Sequence, residues 1–358
     1  MSCTIVIPAY EPGQELVPYV DALLTQELGP VLIIDDGSGG AFAPIFTALE
    51  GKPGCTVLHH TENRGKGAAL KTAFAHYLAH TPEGCAGIIT VDCDGQHAVP
   101  DVLRLQQALE EHPDALVLGV RDFGPDTPAR SRRGNKAASM ALSALYGIKL
   151  GDTQTGLRGL PNSLLPALAG LRGDRFEYEL NMLITARQKC VPFLQVPIQT
   201  IYFNNNSGSH FRTFADLFRI LALLGRSVVQ YAGAAALSVV IDVAVYAVMV
   251  KLLLLSVPLA ERIFLSTVTA RILSSVANYL CNRRLPYVQN KKLLPTMLKY
   301  YVLWFFQLMS SFFLTWLLSQ FVLLDDLAAK LLVDIFLAVI SYQIQLRWVF
   351  RAGKGEAA

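Results

Sequence analysis

The stretch Val91-Asp92-Cys93-Asp94-Gly95-Gln96-His97 directly follows Gly87 to Thr90, a short apolar run with the length of a buried strand. Two carboxylates that stand two residues apart at the end of a strand point to the same side. Such a pair can hold one hard divalent cation, and a cation held there can neutralise a pyrophosphate. A plain junction between a strand and a turn is the competing interpretation, because Asp and Gly are common in turns.

Apolar strands alternate with helical segments along the first half of the chain. The predicted strands are Cys3–Pro8, Pro30–Ile34, Thr56–His59, Gly87–Val91 and Ala115–Gly119. The segments with helical spacing are Gln14–Thr25, Lys66–Leu78, Val99–Glu111 and a helix that opens near Phe176 and runs through Arg187. This alternation predicts an α/β fold, in which a mostly parallel sheet carries helices on both faces.

Polar motifs stand where these strands end. In a mostly parallel sheet, ligands bind beyond the carboxyl ends of the strands. The motifs Pro8–Glu11, Asp35–Ser38 and Asp92–His97 should therefore converge on one edge. A fourth motif, Asn63-Arg64-Gly65-Lys66-Gly67, opens a helix, where glycines allow close backbone approach and the helix N-terminus favours an anion. Its spacing is neither that of a Walker sequence nor the GxGxxG of dinucleotide-binding proteins.

These four motifs occur in the order typical of family 2 glycosyltransferases. More narrowly, residues 3 to 220 resemble the dolichyl-phosphate mannose synthase branch, which includes bacterial polyprenyl-phosphate glycosyltransferases. The resemblance implies a GT-A, Rossmann-like fold over residues 1–208. It also implies inverting transfer of a sugar from a UDP- or GDP-linked donor to a polyprenyl phosphate. A divalent cation, Mg²⁺ or Mn²⁺, would stabilise the diphosphate as it leaves.

The resemblance assigns roles to residues of these motifs. The expected donor-binding residues are Pro8, Tyr10, Glu11, Asp35, Asp36, Lys66 and Asp92. The expected metal ligands are Asp92, Asp94 and Gln96, and Asp94 is also expected to be catalytic. The expected sugar-pocket residues are Asp152, Thr155, Gly156 and Glu177. A polar turn before a strand, and acidic residues that favour a helix N-terminus, would explain the last four residues without a sugar.

Arginines follow the next strand end, at Arg121 and within Arg130-Ser131-Arg132-Arg133. A charge run is usually a solvated face. Arginines that follow a strand and open a helix can also clamp a phosphate through two parallel hydrogen bonds. The resemblance places the acceptor phosphate at Arg121, Arg130 and Arg132, and it makes Arg121 and Arg132 catalytic.

The residues favour a phosphate over a hydroxyl as the acceptor. A hydroxyl needs a positioned general base, and a hydrogen-bonding structural role is expected for the candidates His97 and His210. A phosphate monoester loses its second proton near pH ~6, so at neutral pH it can attack without a base. It does need cations that hold it beside another anion, and the arginines meet that need.

The composition changes near residue 225. Up to Gly225 the chain has 18 Lys+Arg and 22 Asp+Glu, whereas from Arg226 onward it has 13 and 6. A predicted interfacial amphipathic helix at 209–226 leads into a predicted membrane domain at 227–358. Its four apolar spans, each near the length that crosses a bilayer, are 228–250, 263–281, 297–323 and 327–349. Basic residues after the second and fourth spans predict a multi-pass protein of the cell membrane with its soluble domain in the cytoplasm.

The membrane domain contains a faint internal repeat. Arg271–Tyr287 aligns without a gap with Asp334–Phe350, which predicts two duplicated hairpins. The four-span unit resembles the GtrA-like family, whose members are linked to the handling of lipid-linked sugars. Ionisable residues inside membrane spans are costly and usually paired. We therefore expect Arg271 to pair with Asp242 or with Asp334.

Two other functions stay open on these residues. One is a membrane glycosyltransferase with a hydroxyl acceptor, in polysaccharide or glycolipid synthesis, although Gln345-Leu346-Arg347-Trp348 lacks the QxxRW spacing of processive synthases. The other is a translocator of lipid-linked sugars with a regulatory soluble domain. The expected partners are a nucleotide sugar, a polyprenyl phosphate and the bilayer. A homo-oligomer stays open, and no nucleic acid is expected.

Six scattered cysteines without a CxxC spacing argue against a zinc site, a redox motif and a disulfide framework.

Overall fold

The computed structural model describes residues 3–122, 129–199, 213–285, 288–289, 292–321 and 326–351. The chain forms two compact units. The first unit takes in the chain up to residue 223 without residues 144–147, and those four residues belong with residues 224 onward to the second unit. The division at residue 223 falls inside the segment 209–226 that separates the two predicted domains.

A seven-stranded sheet forms the centre of the first unit. Its strands are β1 (Thr4–Ala9), β2 (Val31–Asp35), β3 (Cys55–His59), β4 (Gly87–Thr90), β5 (Leu116–Arg121), β6 (Arg158–Pro161) and β7 (Phe193–Ile198). They lie in the order β3-β2-β1-β4-β6-β5-β7. The short strand β6 runs antiparallel between β4 and β5, and the remaining pairings of the sheet are parallel. The sheet confirms the predicted fold class.

Seven α-helices accompany these strands among the described residues up to 199. They are α1 (Leu16–Thr25), α2 (Ala43–Glu50), α3 (Lys66–Ala79), α4 (Val99–Glu111), α5 (Ala129–Tyr146), α6 (Leu165–Ala169) and α7 (Glu177–Gln188). The predicted helices and strands are present, with bounds that differ by at most two residues. Helix α2, helix α6 and strand β7 are absent from the predicted elements.

The core of the first unit lies against the first two strands of the sheet. All residues of β1 and β2 are buried, as expected for parallel strands that are covered on both faces. Ile5, Ile7 and Ile33 pack with apolar side chains of α1 and α4. Asp101 on α4 is fully buried, and its carboxylate accepts a hydrogen bond from the Gln199 backbone N–H at 2.8 Å. This bond fixes α4 to the chain just beyond β7.

Two glycines let α3 begin tightly against another part of the chain. Gly65, the residue before α3, has φ +102°, a conformation that L side chains rarely adopt. A Cβ added at Gly67 would stand 2.6 Å from the Tyr178 Cβ and 2.8 Å from the Asp174 carbonyl carbon. The Ala68 N–H donates to the Asp174 carbonyl at 3.0 Å. The start of α3 is therefore packed backbone to backbone against the residues that lead into α7.

Four long helices build the second unit. They are α8 (Thr213–Val248), α9 (Leu259–Asn282), α10 (Leu293–Phe321) and α11 (Asp326–Ile344). Among the described residues, four segments are long and apolar enough to cross a membrane, and each overlaps one predicted span: Gly225–Leu253, Leu259–Asn282, Leu293–Leu318 and Leu332–Val349.

The predicted interfacial helix is not a separate element. Residues 213–226 belong to α8, which runs without a break into the first span. No proline interrupts this stretch, and a single Gly225 does not end a helix. Residues 209–212 lie outside the described residues. An in-plane position of residues 213–226 in the headgroup region stays a prediction.

Polar contacts inside the second unit join its apolar helices. The Arg271 guanidinium lies 3.7 Å from the Asp242 carboxylate, which also accepts from the Ser274 hydroxyl at 3.1 Å, so the first of the two expected partners is confirmed. Asp334 accepts instead from the Ser311 hydroxyl at 2.8 Å.

The Asn282 side-chain amide donates to Gln345 at 3.2 Å, and these two residues occupy equivalent positions in the predicted repeat.

Alanine at Gly67 should destabilise the protein, because its methyl group has no room beside Tyr178 and Asp174. We expect a loss of about 1–3 kcal/mol in the free energy of unfolding, measured as a lower thermal unfolding midpoint in detergent. The matched control is Gly134→Ala on α5, where an added Cβ meets nothing within 4 Å. That control should stabilise the helix by about 0.5–1 kcal/mol. Equal midpoints for the two variants would contradict the packing described for α3.

Candidate active site

The strand-end motifs converge on one edge of the sheet, as predicted. Strands β2, β1 and β4 are parallel neighbours, so their carboxyl ends lie side by side. The Glu11 N–H donates to the Ser38 hydroxyl at 2.8 Å, and the Asp36 N–H donates to the Ala9 carbonyl at 2.8 Å. Pro8 is buried within β1, Tyr10 is half-buried just beyond it, and Glu11 is exposed with φ +48°.

Asp36 holds the glycine-rich turn in place. Its buried carboxylate accepts from the Arg64 N–H at 3.0 Å and from the Gly65 N–H at 2.7 Å, and it lies 2.7 Å from the His60 Nδ1. Buried carboxylates need such partners, since an unpaired one costs several kcal/mol. The second aspartate of Asp35-Asp36 therefore positions the start of α3.

Asp35 forms a separate chain of contacts. Its carboxylate accepts from the Ser38 N–H at 2.8 Å and lies 2.8 Å from the His59 Nδ1, and the other His59 ring nitrogen lies 2.8 Å from Glu50. The hydrogen bond with Asp35, followed by the one with Glu50, raises the pKa of His59. A protonated His59 would offset part of the negative charge of Asp35 and Glu50.

Lys66 joins two motifs that are far apart in sequence. Its ammonium lies 2.6 Å from the Asp92 carboxylate and 3.0 Å from the Glu179 carboxylate on α7. Burial opposes the charge of Lys66, but the attraction of Asp92 and Glu179 outweighs burial and raises the Lys66 pKa. The same surroundings act on Asp92: burial alone would raise its pKa, but Lys66 and then His97 hold it far below the usual range. Lys66 and Asp92 therefore both stay charged at neutral pH.

His97 and Gly156 close the other side of Asp92. The His97 Nε2 lies 3.2 Å from the second carboxylate oxygen, and the His97 Nδ1 is buried with no hydrogen-bond partner among the described residues. A Cβ added at Gly156 would overlap the Asp92 carboxylate. Both oxygens of Asp92 are thus in contact with the chain itself, which leaves Asp94 as the more accessible carboxylate of the motif.

Asp94 is exposed at the turn that follows β4. Its carboxylate accepts from the Gln96 N–H at 3.1 Å across Gly95, which has φ +69°. Desolvation, followed by repulsion from Asp92, raises the pKa of Asp94. Cys93 packs against the core, and burial raises its pKa to about 12, so its thiol is not a ready metal ligand.

The oxygen atoms of this motif fit a hard cation whose remaining ligands come from a bound substrate. No group of three or more His, Cys, Asp or Glu side chains in the described residues could hold a metal ion. The carboxylates of Asp92 and Asp94 and the amide of Gln96 are hard donors that stand within five residues of each other. Mg²⁺ and Mn²⁺ are usually held by one or two carboxylates together with substrate phosphates, not by a complete protein cage.

The segment 152–158 lies beside Asp92 and is organised by a buried arginine that the sequence interpretation missed. The Thr90 hydroxyl on β4 donates to the Gly156 carbonyl at 2.8 Å. Arg158 is 1% exposed, and its hydrogen bonds in the described part of the chain go to the carbonyls of Thr155, Glu179 and Thr153, at 2.9, 2.8 and 3.4 Å. Arg158 therefore ties this segment to the first turn of α7.

Arg121 and Asp152, which were assigned to different substrates, contact each other. The Arg121 Nε and Nη2 donate to the two oxygens of the fully buried Asp152 at 2.6 and 3.2 Å. Asn135 on α5 binds the same segment, through the Gly151 carbonyl at 2.7 Å and the Thr153 N–H at 3.0 Å. Arg132 is exposed on α5, and the side chain of Arg130 lies outside the described part of the chain.

The two glutamates at the start of α7 differ in what they contact. The Glu177 carboxylate accepts from the backbone N–H groups of Asp174 and Arg175 at 3.3 and 3.4 Å, so it binds the turn before its own helix. Glu179 instead turns toward Lys66. The sugar-pocket prediction named Glu177, and the structure brings its neighbour Glu179 to the acidic cluster. The spacing along a helix gives no means of choosing between them without the position of Lys66.

Two families account for most of the chain. Residues 4–165 match the family described as Glycosyl transferase family 2, and residues 220–350 match the family described as GtrA/DPMS, transmembrane domain. The first match contains all four strand-end motifs and Arg158, whereas Glu179 lies beyond it. The two matches confirm the resemblances given by the motifs.

Each of the named relatives covers less than two thirds of the chain. The UDP-N-acetylglucosamine--dolichyl-phosphate N-acetylglucosaminyltransferase of Methanococcus voltae is 29% identical in an alignment of 218 positions that covers 55% of this chain and 85% of the relative. The polyprenol monophosphomannose synthase of Mycolicibacterium smegmatis is 26% identical in an alignment of 223 positions that covers 58% of this chain and 82% of the relative. The crystal structure of Staphylococcus aureus TarS 1–349 with UDP-GlcNAc has 11% identity and a TM-score of 0.42, over 96% of this chain and 91% of that one.

Replacing Arg158 with methionine should destabilise the protein and impair the site together. Methionine fills similar space but removes the side-chain donor from three buried carbonyls and a positive charge from their surroundings, and we expect a loss of about 2–4 kcal/mol in the free energy of unfolding. The measurement is the thermal unfolding midpoint of the full chain in detergent. Arg172→Met, which removes the same charge from an exposed side chain, is the control and should leave the midpoint within a degree or two of the wild type. An unchanged midpoint for Arg158→Met would refute the bracing role.

Proposed function

We propose that this membrane glycosyltransferase, a glycosyl transferase family 2 domain followed by a GtrA/DPMS transmembrane domain, transfers a sugar from a UDP- or GDP-linked donor to a polyprenyl phosphate. The transfer inverts the configuration at the anomeric carbon and takes place at the cytoplasmic face of the cell membrane. The observation that carries the proposal is the convergence of Asp36, Lys66 and Asp92 at one sheet edge, in a chain that also has membrane helices. The two named relatives, whose names specify dolichyl phosphate and polyprenol, support the choice of acceptor.

The donor side of the reaction uses the strand-end motifs. Asp35 is the residue proposed to contact the nucleoside, with Pro8, Tyr10 and Glu11 on the neighbouring strand end and Asp36 fixing the turn beside them. The Lys66 ammonium and the N-terminus of α3 offer positive charge to the diphosphate. Asp152, Thr155, Gly156 and Glu177 are the proposed sugar-pocket residues, and the buried contacts of Arg158 hold that segment beside Asp92.

A divalent cation, Mg²⁺ or Mn²⁺, is the proposed cofactor, with Asp94 and Gln96 as its first ligands and Asp92 as a further ligand. When bound, it would neutralise the charge that develops on the diphosphate as the sugar bond breaks. The exposed position of Asp94 suits this role better than that of Asp92, both of whose oxygens already contact the chain.

The acceptor side of the reaction needs positive charge and no protein base. An oxygen of the acceptor phosphate forms a bond to the anomeric carbon, on the face opposite the diphosphate. The bond between the anomeric carbon and the diphosphate breaks, and its electron pair leaves with the diphosphate. The acceptor dianion carries no proton that has to be removed at neutral pH. Arg121, Arg130 and Arg132 are proposed to hold it against the repulsion of the donor diphosphate. The Arg121–Asp152 ion pair supports this arrangement, because it links the acceptor arginine to the sugar segment.

The direct test is to incubate the purified full chain with undecaprenyl phosphate, Mn²⁺ and a panel of UDP- and GDP-sugars, and to look for a labelled glycolipid. We expect one donor to be used. Asp94→Ala should lower turnover at least about 100-fold, even in saturating Mg²⁺ or Mn²⁺. Asp21→Ala, which removes an exposed carboxylate paired with Lys52, is the control and should keep full turnover. Transfer to a sugar hydroxyl but not to the lipid phosphate would contradict the proposed acceptor.

Replacing Arg121 with lysine should keep the positive charge but lose the planar fork that grips two oxygens at once. We expect kcat/KM for the polyprenyl phosphate to fall about tenfold or more. The measurement is initial velocity against lipid concentration at fixed donor, with Arg172→Lys as the control on an exposed arginine. Wild-type kinetics for Arg121→Lys would exclude a bidentate role for Arg121.

A further inference from the structure

Lys66 occupies the position beside the Asp92 carboxylate that a divalent cation would take if it bound the same oxygen. Its ammonium lies between the carboxylates of Asp92 and Glu179, at 2.6 and 3.0 Å, and its side chain is only 22% exposed. We propose that Lys66 is an internal counter-cation that pairs with Asp92 until a divalent cation binds. Glu179 is then the positioning residue that keeps Lys66 in the site after Asp92 turns to the metal. This inference rests on the proposed function, because the cation enters with the donor diphosphate.

The contacts around Asp92 make an exchange necessary. One oxygen is paired with Lys66, the other lies 3.2 Å from His97, and the backbone of Gly156 packs against the carboxylate. An ammonium and a divalent cation cannot share one oxygen, since two like charges within about 4 Å repel each other strongly in a partly buried site. A cation that binds the Lys66-paired oxygen of Asp92 must therefore displace Lys66.

Glu179 is placed to receive the displaced ammonium. It lies on α7, and its side chain is 11% exposed. Its backbone carbonyl accepts from the buried Arg158 guanidinium at 2.8 Å, so the first turn of α7 cannot drift away from the site. Lys66 can then leave Asp92 and keep a carboxylate partner, and its charge stays available to the diphosphate.

Glu177 provides a natural contrast. Glu177 precedes Glu179 by two residues in the first turn of α7 and has the same charge. Its carboxylate, however, accepts hydrogen bonds from the backbone N–H groups of Asp174 and Arg175. Lys71 provides the matching contrast on α3, where its ammonium pairs with Asp174 at 2.5 Å. Long-range electrostatics would act through all four residues, whereas the exchange involves Lys66 and Glu179 alone.

The test measures Mn²⁺ affinity of the detergent-solubilised full chain without nucleotide, from the electron paramagnetic resonance signal of free Mn²⁺. Lys66→Met frees Asp92 and should tighten Mn²⁺ binding roughly tenfold. Glu179→Gln leaves Lys66 with Asp92 as its one carboxylate partner among the described residues and should weaken Mn²⁺ binding roughly fivefold. Lys71→Met and Glu177→Gln should each change the affinity by less than about twofold.

The double variant decides whether Glu179 acts through Lys66. In the Lys66→Met background, Glu179→Gln should change Mn²⁺ affinity by less than about twofold, because there is no ammonium left to receive. An effect of Glu179→Gln that persists unchanged in that background would overturn the proposal, and so would weaker Mn²⁺ binding by Lys66→Met. Binding of Mn²⁺ by Lys66→Met but not by the wild type supports it, and binding by neither overturns it.

The outcome can be separated from that of the proposed function. A chain that shows this coupling in Mn²⁺ binding but transfers no sugar from any donor would refute the proposed reaction and leave the exchange standing. A chain that transfers sugar but shows no such coupling would refute the exchange and leave the proposed reaction standing. If Lys66→Met is poorly folded by its thermal midpoint, Lys66→Gln, which retains hydrogen bonding to both carboxylates without the charge, replaces it in the same cycle with the same expected signs.

Discussion

The ion pair between Lys66 and Asp92 is the interaction on which the arrangement of this site depends. Asp92 stands two residues beyond the end of β4, and Lys66 begins α3, which follows a different strand. Their contact requires the glycine-rich turn to lie against the carboxyl ends of β2 and β4, and Asp36, just beyond β2, fixes the turn in that position by accepting from two backbone N–H groups. Removing one member of a partly buried pair leaves the other uncompensated, which costs more than an exposed pair is worth. The site is therefore preorganised by the chain before any ligand arrives.

Much of the sheet can be predicted from the sequence, because parallel strands buried on both faces are continuous apolar runs. The polar motifs at the ends of β1, β2 and β4 could be grouped from this pattern alone, since neighbouring parallel strands end at the same edge. Strand β6 is different: four residues, Arg158–Pro161, begin with a charged side chain and show no alternation. Nothing local indicates that such a segment lies antiparallel in the middle of the sheet.

The site residues that escaped the sequence interpretation all depend on contacts between distant segments. A buried arginine is unexpected from composition, and Arg158 is tolerated only because backbone carbonyls from the 152–158 segment and α7 surround it. Glu179 could be recognised only once Lys66 was in place. Arg121 and Asp152 could each be named from their motifs, but their bidentate pairing joins parts of the chain that no local pattern connects. In the second unit, by contrast, hydropathy alone locates the four helices, and the cost of ionisable groups in a membrane anticipates the Arg271–Asp242 contact.

The most direct measurement is an anomalous difference map from crystals of the full chain grown with Mn²⁺ and the nucleoside diphosphate of the preferred donor. The catalytic assignment predicts one Mn²⁺ peak about 2 Å from an Asp94 oxygen, with the diphosphate bound to the same ion and within hydrogen-bond reach of Lys66. A diphosphate on another edge of the sheet, or a Mn²⁺ peak remote from Asp94, would contradict it.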